Sequence, residues 1–261
     1  MPAGVNLELL GGGAAMLWLD RQEKRNAFNA AMIAGLHQAF EQVAGDAGIR
    51  ILGVRGRGGS FCAGADVDWM RAQGQASLAE NTEDALCLAR MLKALHDLPQ
   101  LSVALIEGPA LGGGAGLAAA CDVAVATADA SFRFSEVRLG LTPATISPYV
   151  IEAIGPRMAR ALFATGEGFD AVYAAQIGLV QYAVADRAEL ESQFEALCAL
   201  GRAAAPGAVR DAKALVRDVA GRPIDERLML DTARRIAARR ADPEGREGLS
   251  AFLEKRKANW A

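Results

Sequence analysis

The chain has few of the residues that form metal sites and disulfide frameworks. It contains two histidines, His37 and His96, and its four cysteines lie far apart with no Cys-x-x-Cys spacing. Zinc sites and small disulfide-bonded domains need such residues in clusters. We therefore expect no metal site, and we expect the thiols to be free, as they are in a reducing cytoplasm.

The chain also lacks an excess of positive charge and any long hydrophobic run. Its 28 Lys and Arg are interspersed with 31 Asp and Glu, so no basic surface predicts binding to nucleic acid or to an anionic membrane. No apolar stretch approaches 18 residues, and the start "MPAGVNLELL" has no charged segment followed by an apolar one. We expect a cytoplasmic protein that acts on a small molecule.

What the sequence does have is strand patterns that alternate with helix patterns. "VNLELL" and "AAMLWLD" on either side of "GGG" predict a hairpin, and Asn29 is placed to cap an amphipathic helix. From Thr145 the pattern is mostly helical. Helix starts are predicted at Pro156, Asp170, Asp186, Pro206, Pro223 and Pro243. We predict an α/β core over residues 1–200 and a helical C-terminal region over residues 201–261.

Two segments of the core follow the same plan. Each has an apolar strand ("IRILGVRG", "LSVALIEG"), then a glycine-containing loop ("SFCAGAD", "PALGGGAG"), then helical sequence. Ala65 and Gly113 occupy equivalent places and are 48 positions apart. This spacing indicates a structural turn of the chain that occurs twice.

The second loop, "GPALGGGAGLAAACD", begins a helix with consecutive glycines. No Lys-Ser or Lys-Thr follows it, which excludes a phosphate-binding P-loop, and Ser60 in the first loop lacks the second glycine of a nucleophile elbow. Gly114, Gly116 and Ala119 match a dinucleotide fingerprint, but the helix from residue 113 to 121 is short for it. Two readings remain: glycines that expose backbone N–H groups to an oxyanion, or close packing of helix on sheet.

A carboxylate follows a row of apolar residues in "SFRFSEVRLG". If this segment continues as a strand, Phe132, Phe134 and Glu136 share one face. A buried carboxylate is unfavourable without a partner or a chemical role, and burial would raise its pKa toward neutral. Arg133 and Arg138 are the candidate partners, so Glu136 is either an acid/base or half of an ion pair.

Several motifs together resemble the crotonase (enoyl-CoA hydratase/isomerase) superfamily. They are "KRNAFN", "FCAGADV", "ALGGGAGLAAACDVAVA", "FSEVRLGLTP", "QIGLV" and "FLEKRKANW", and they span essentially the whole chain. The resemblance implies a spiral of ββα turns followed by a helical trimerisation region. It also implies a homotrimer or homohexamer and an acyl-CoA substrate, with CoA as part of the substrate and no separate cofactor.

The resemblance also assigns roles to residues of this sequence. The backbone N–H groups of Ala65 and Gly113 would hold the thioester oxygen, and Glu136 would be the catalytic acid/base. Contacts with CoA would come from the two glycine loops, the segment before the first loop and the C-terminal helices. These residues are Lys24, Arg25, Ala27, Ala63, Gly64, Asp66, Val67, Gly112, Phe252 and Lys255.

The sequence departs from the family pattern at Gly116, where many hydratases have a second glutamate. "FCAGADVDWM" and "FSEVRLGLTPATISPYV" look most similar to bacterial methylglutaconyl-CoA hydratases and isohexenylglutaconyl-CoA relatives, which also have glycine there. We therefore expect hydration of a branched glutaconyl-type substrate such as 3-methylglutaconyl-CoA. The alternatives are a single-glutamate 3,2-enoyl-CoA isomerase and a non-catalytic acyl-CoA binding protein.

Overall fold

A parallel sheet extended by one antiparallel strand runs through the molecule, and the alternation of its apolar residues creates a core on each face. In a computed structural model of the chain, which describes residues 4–260, the strands run in the order β1-β2-β3-β4-β6-β9. A second sheet has the order β5-β7-β8. The strands are β1 Val5–Gly11, β2 Ala14–Leu19, β3 Ile51–Gly56, β4 Leu101–Ile106, β5 Pro109–Leu111, β6 Val123–Thr127, β7 Ser131–Arg133, β8 Gly168–Asp170 and β9 Tyr182–Val184.

Helices lie between the strands and then form the end of the chain. Asn29 caps the first helix as predicted, since its side chain accepts a hydrogen bond from Met32 N. The helices are α1 Ala30–Gly45, α2 Val67–Gln73, α3 Leu78–His96, α4 Gly113–Ala119, α5 Ser147–Thr165, α6 Ala171–Gln176, α7 Arg187–Ala203, α8 Pro206–Val219, α9 Glu226–Ala241 and α10 Pro243–Leu253. Residue 200, the predicted end of the α/β core, lies within α7.

The period-two pattern of the strands divides the core. Leu17 on β2 and Leu52 on β3 point to the face that α1 and α3 cover, and they join the larger hydrophobic cluster. Met16 and Ile51 point to the other face, where they meet Phe194 of α7. The layered α/β architecture predicted from the alternation of patterns is confirmed.

The repeated turn of the chain is present as well. β3 and β4 are parallel neighbours in the first sheet, and the loops that follow them also pair in parallel at Cys62 and Ala110. The chain therefore stacks one strand–loop unit on the next, as the spiral implied by the resemblance requires. The predicted hairpin is also confirmed, because β1 and β2 pair antiparallel through a turn of three glycines with positive φ.

Two local predictions were wrong. β7 ends at Arg133, and Glu136 begins a 3-10 helix (Glu136–Leu139) instead of continuing the strand. Phe134 is nevertheless buried, because it packs edge-on against Phe163. Pro223 does not start a helix either: α9 begins at Glu226 and is capped by Asp225, whose side chain accepts from Leu228 N.

The other predicted helix starts agree with the structure. Asp170 and Asp186 cap α6 and α7, while Pro206 and Pro243 are the first residues of α8 and α10. At Pro156 a helical segment restarts inside α5, because the preceding Gly155 has the non-helical angles φ 75° and ψ 160°. Within residues 4–260, no helix is both long enough and apolar enough to cross a membrane.

Candidate active site

The two glycine loops lie side by side because their backbones are hydrogen bonded. Cys62 N donates to Pro109 O at 3.0 Å, and Leu111 N donates to Cys62 O at 2.9 Å. A β-carbon at Gly64 would lie 3.1 Å from Leu111 O, so the loops approach too closely for most side chains there. This pairing places Ala65 of the first loop beside the segment that leads into Gly113.

The N–H group of Ala65 points away from Phe28, the residue that pairs with Ala65. Phe28 forms a parallel bridge with Ala65, in which Phe28 N donates to Gly64 O at 2.7 Å and Phe28 O accepts from Asp66 N at 2.8 Å. In such a pair the bridged residue directs its own N–H to the opposite edge. Ala65 N–H has no acceptor among residues 4–260.

Each glycine at the start of α4 has a distinct structural reason. Gly112 has φ 49° and ψ -116°, a conformation that side chains with a β-carbon rarely adopt. A β-carbon at Gly114 would lie 2.5 Å from Cys62 O, so Gly114 allows close packing on the first loop. The N–H of Gly113 has no acceptor in the described part of the chain. Gly114 therefore supports the close-packing interpretation, while the free N–H group of Gly113 leaves oxyanion binding as a prediction.

Glu136 lies next to the second loop without an ion-pair partner. Its Oε1 is 3.1 Å from the position of a β-carbon at Gly112, and its buried Oε2 has no hydrogen-bond partner within residues 4–260. Loss of solvation raises the pKa of this carboxyl above its usual range. Neither Arg133 nor Arg138 forms a salt bridge with it in the described structure, so the ion-pair alternative has no support.

Position 116 is closed to side chains by a residue of the segment before α5. A β-carbon at Gly116 would lie 2.2 Å from Cγ2 and 2.6 Å from Cβ of Ile146, which is 2% exposed. Gly116 N donates to Gly112 O at 3.0 Å, so the two glycines lie one helical turn apart. Glu136 and Ile146 thus contact successive turns at the start of α4.

The residues expected near the nucleotide of CoA lie around the first loop. Ala63 N donates to Arg25 O at 3.0 Å, which joins the segment 24–27 to the loop. Lys24 and Val67 are exposed beside it, and Lys24 Nζ donates to Asp68 at 3.0 Å. The structure therefore brings Lys24, Arg25, Ala27, Ala63, Gly64, Asp66 and Val67 together at one loop, near Gly112.

Asp66 is held by an arginine that sequence reasoning missed. Its carboxylate caps α2 by accepting from Asp68 N and pairs with Arg21 at 2.8 Å. The hydrogen bond from Arg21 lowers the pKa of Asp66 below its usual value. Arg21 also donates to Ala27 O at 2.7 Å, so it links the two segments of the loop cluster. In the sequence, the position of Arg21 shortly before "KRNAFN" is the one signal that could have indicated its contact with Asp66.

Two predicted residues lie at the end of the C-terminal helices and make no polar contact with the loops within the described chain. Phe252 at the end of α10 is 80% exposed, and Lys255 follows the same helix with φ 54°. Within the described residues neither side chain forms a hydrogen bond or a salt bridge with the glycine loops. Their contact with CoA stays a prediction.

The described residues support neither a metal site nor the dinucleotide alternative. No group of three or more His, Cys, Asp or Glu between residues 4 and 260 is arranged to hold a metal ion. The helix that would carry the dinucleotide fingerprint, α4, has seven residues. The groups at this site that are available for binding or proton transfer are the backbone N–H groups of the loops and the carboxylate of Glu136.

Comparison with known proteins gives consistent matches over most of the chain. A family model described as enoyl-CoA hydratase/isomerase matches residues 11–261. The crotonyl-CoA hydratase of Syntrophomonas wolfei is 32% identical over 250 residues, covering 94% of this chain and 94% of that protein. An enoyl-CoA isomerase/hydratase of Mycosarcoma maydis is 33% identical over 255 residues, covering 94% and 91%. The crystal structure of an enoyl-CoA hydratase from Shewanella pealeana superimposes with a TM-score of 0.96 at 36% identity, covering 100% of this chain and 97% of that one.

Proposed function

The chain belongs to the enoyl-CoA hydratase/isomerase family, and on that premise we propose that it is a hydratase that adds water across the 2,3 double bond of a 2-enoyl-CoA thioester. CoA enters as part of the substrate, and the reaction needs no metal or redox cofactor. The observation that carries the proposal is Glu136, a partly buried carboxylate whose Oε2 has no hydrogen-bond partner among residues 4–260, beside two loops with free N–H groups.

The N–H groups of Ala65 and Gly113 would stabilise the charge that develops during the reaction. When water attacks C3, the electrons of the double bond move toward the thioester carbonyl and form an enolate. Two donors directed at that oxygen bind it more strongly in the transition state than in the substrate. Removal of one such donor costs about 3 kcal/mol in other enzymes.

Glu136 would carry the proton in both halves of the addition. As a carboxylate it accepts a proton from the water whose oxygen bonds to C3, and it then returns that proton to C2. Its raised pKa supports this double role, because a carboxyl group that gains and loses a proton readily has a pKa closer to the working pH.

The residues gathered at the first loop, here called the first-loop cluster, would bind the nucleotide part of CoA. They are Lys24, Arg25, Ala27, Ala63, Gly64, Asp66 and Val67. Lys24 and Arg25 are exposed cations beside the loop, and Ala63, Asp66 and Val67 present backbone and small side chains to an adenine. Phe252 and Lys255 would reach CoA from a neighbouring subunit of a cytoplasmic homotrimer or homohexamer. The exposure of Phe252, Leu253 and Leu230 on the C-terminal helices supports an assembly that covers them. Analytical ultracentrifugation of the purified protein measures the mass of the assembly and so tests whether it is a trimer or a hexamer.

A glutaconyl-type substrate, such as 3-methylglutaconyl-CoA, is the acyl group we propose. The support is the similarity of "FCAGADVDWM" and "FSEVRLGLTPATISPYV" to hydratases of that class, together with glycine at position 116.

The second candidate is a 3,2-enoyl-CoA isomerase. A specific observation favours it: Ile146 closes position 116, and one carboxylate suffices to take a proton from C2 and return it at C4. A non-catalytic acyl-CoA binding protein is the third candidate, but it gives no reason to keep Oε2 of Glu136 buried without a hydrogen-bond partner in the described chain.

A turnover panel tests the proposal. The purified protein is incubated with 3-methylglutaconyl-CoA, crotonyl-CoA and a 3-enoyl-CoA, and the products are separated by chromatography. The proposal predicts a 3-hydroxyacyl product and the highest kcat/KM with 3-methylglutaconyl-CoA. Turnover of the 3-enoyl-CoA alone would favour the isomerase, and tight binding without turnover would favour the binding protein.

A further inference from the structure

Phe28 contacts both of the loops that carry the free N–H groups. We infer that Phe28 is a positioning residue that sets the spacing and orientation of the Ala65 and Gly113 N–H donors. This inference rests on the proposed function, in which those donors bind the thioester oxygen. Phe28 lies in the "KRNAFN" segment, in which the resemblance assigns CoA contacts to Lys24, Arg25 and Ala27 but no role to Phe28.

The backbone of Phe28 fixes the orientation of the first donor. Its N–H and C=O bond to Gly64 O and Asp66 N, the groups on either side of Ala65, at 2.7 and 2.8 Å. Rotation of the Ala65 peptide unit would break one of these two bonds. The Ala65 N–H is therefore held on the edge that faces away from Phe28.

The ring of Phe28 packs against the second donor. A β-carbon at Gly113 would lie 3.0 Å from Cδ2 and 3.1 Å from Cε2 of Phe28, so the ring is in contact with the Gly113 backbone. Phe28 is 1% exposed and belongs to the larger core cluster. A rigid aromatic ring in a packed core acts as a spacer of fixed width.

The segment that carries Phe28 is itself anchored. Asn26 is fully buried; its Nδ2 donates to Arg57 O at 2.9 Å and to Ser60 O at 2.7 Å, and its Oδ1 accepts from Arg21 N. Arg25 and Asn26 adopt the left-handed conformation, with φ 49° and 57°. Such a conformation persists in residues other than glycine only where the surroundings hold it in place. Phe28 is thus a fixed reference for both loops.

A smaller side chain at position 28 would leave the Ala65 bonds intact but remove the spacer from Gly113. The start of α4 would then move toward the space left by the ring, and the two donors would no longer converge on one oxygen. A displacement of about 1 Å in such a site lowers the rate by up to about a hundredfold. Binding of CoA through the first-loop cluster would change little.

The test compares Phe28→Leu with a matched control, Phe40→Leu. Phe40 is a buried phenylalanine of α1 in the same core cluster. Each protein is assayed for kcat and KM with the best substrate of the panel. Each is also titrated with 4-dimethylaminocinnamoyl-CoA, a push–pull thioester whose absorption band moves to longer wavelength when its carbonyl is polarised. Phe28→Met is the second variant, because it fills more of the ring's volume if Phe28→Leu does not fold.

We expect Phe28→Leu or Phe28→Met to lower kcat about tenfold or more while KM stays within about threefold, and to reduce the wavelength shift of the bound probe. Phe40→Leu loses thermal stability but keeps the wild-type kcat and wavelength shift. A Phe28 variant that folds and keeps both values overturns the inference. If the wild-type protein neither shifts the probe nor turns over any substrate, the proposed function fails, and the inference fails with it.

Discussion

Ile146 packs directly onto the backbone of Gly116: a β-carbon at Gly116 would lie 2.2 Å from Cγ2 of Ile146. The chain therefore does not merely lack a carboxylate at this position, since another side chain fills the space. A second carboxylate at position 116 would require Ile146 to move, so the proposed chemistry relies on Glu136 alone.

This contact makes Gly116→Ala destabilising. The added methyl group overlaps Ile146, and overpacking of a core costs about 1–3 kcal/mol. Urea unfolding should show that loss in the free energy of unfolding, and Ile146→Ala should reduce the effect of Gly116→Ala when the two changes are combined. Gly45→Ala is the control, because Gly45 lies in α1 with no atom within 4 Å of the added carbon. Equal effects at the two glycines would contradict the contact.

Glu136→Gln should abolish hydration without harming the fold. The amide keeps the shape of the side chain but cannot accept a proton from water, so we expect kcat to fall at least about a hundredfold. The acid limb of the wild-type pH profile of kcat/KM should have its midpoint above about 4.3, the usual pKa of glutamate, because burial raises the pKa of Glu136. Activity within a few-fold of wild type would show that Glu136 is not the acid/base.

The same variant should change how stability depends on pH. Below about pH 4.3 Glu136 is protonated in both the folded and the unfolded protein. As the pH rises toward the raised native pKa, the unfolded chain loses its proton first, so the wild type loses stability relative to Glu136→Gln. The advantage of the variant in urea unfolding should grow as the pH rises above about 4.3 and level off above the native pKa. A constant difference would mean that the carboxylate is not desolvated.

The pairing of Arg21 with Asp66 should stabilise the protein at neutral pH. Asp66 is 4% exposed, and hydrogen bonds to charged groups contribute about 2 kcal/mol, so Arg21→Met should lose about that much at pH 7. Because Arg21 lowers the pKa of Asp66, the pH-dependent part of the loss should disappear as the pH falls below about 3.9, the usual pKa of aspartate. Arg71→Met, at an exposed pair with Asp68, should cost little. Similar losses from both variants would contradict the difference in burial.

Gly112→Ala should impair both stability and catalysis. Alanine is strained at φ 49° and ψ -116°, and its β-carbon would lie 3.1 Å from Glu136 Oε1. The strain costs about 1–3 kcal/mol, and displacement of the carboxylate lowers kcat. Gly221→Ala is the matched control: Gly221 also has a positive φ, 73°, but no atom lies within 4 Å of an added carbon. If both variants kept the wild-type kcat, Gly112 would not be part of the catalytic site.

The sequence predicted those parts of the fold that depend on local chemistry. Asn29, Asp170 and Asp186 cap helices as expected, because an Asn or Asp side chain can satisfy the free N–H groups of the first turn wherever the chain folds. The apolar segments "AAMLWLD" and "IRILGVRG" likewise predicted the strands β2 and β3.

Contacts between distant segments were not predictable in the same way. The alternating pattern of "SFRFSE" predicts a strand that continues past Phe134, but β7 ends at Arg133. Phe134 is apolar because it packs against Phe163 in α5, a contact that the local pattern does not show. The contact of Phe28 with Gly113 and that of Ile146 with Gly116 join segments far apart in the sequence. A glycine in the sequence can indicate a position with little space, but it does not show which distant residue packs there.

Hydration in water labelled with oxygen-18 tests the central claim most directly. The protein is incubated with 3-methylglutaconyl-CoA, with Glu136→Gln in parallel, and the product is analysed by mass spectrometry. The account predicts that the wild type forms a 3-hydroxyacyl-CoA with one labelled oxygen at C3 and that the variant forms almost none. A product with a displaced double bond and no label, or equal labelling by the variant, would contradict it.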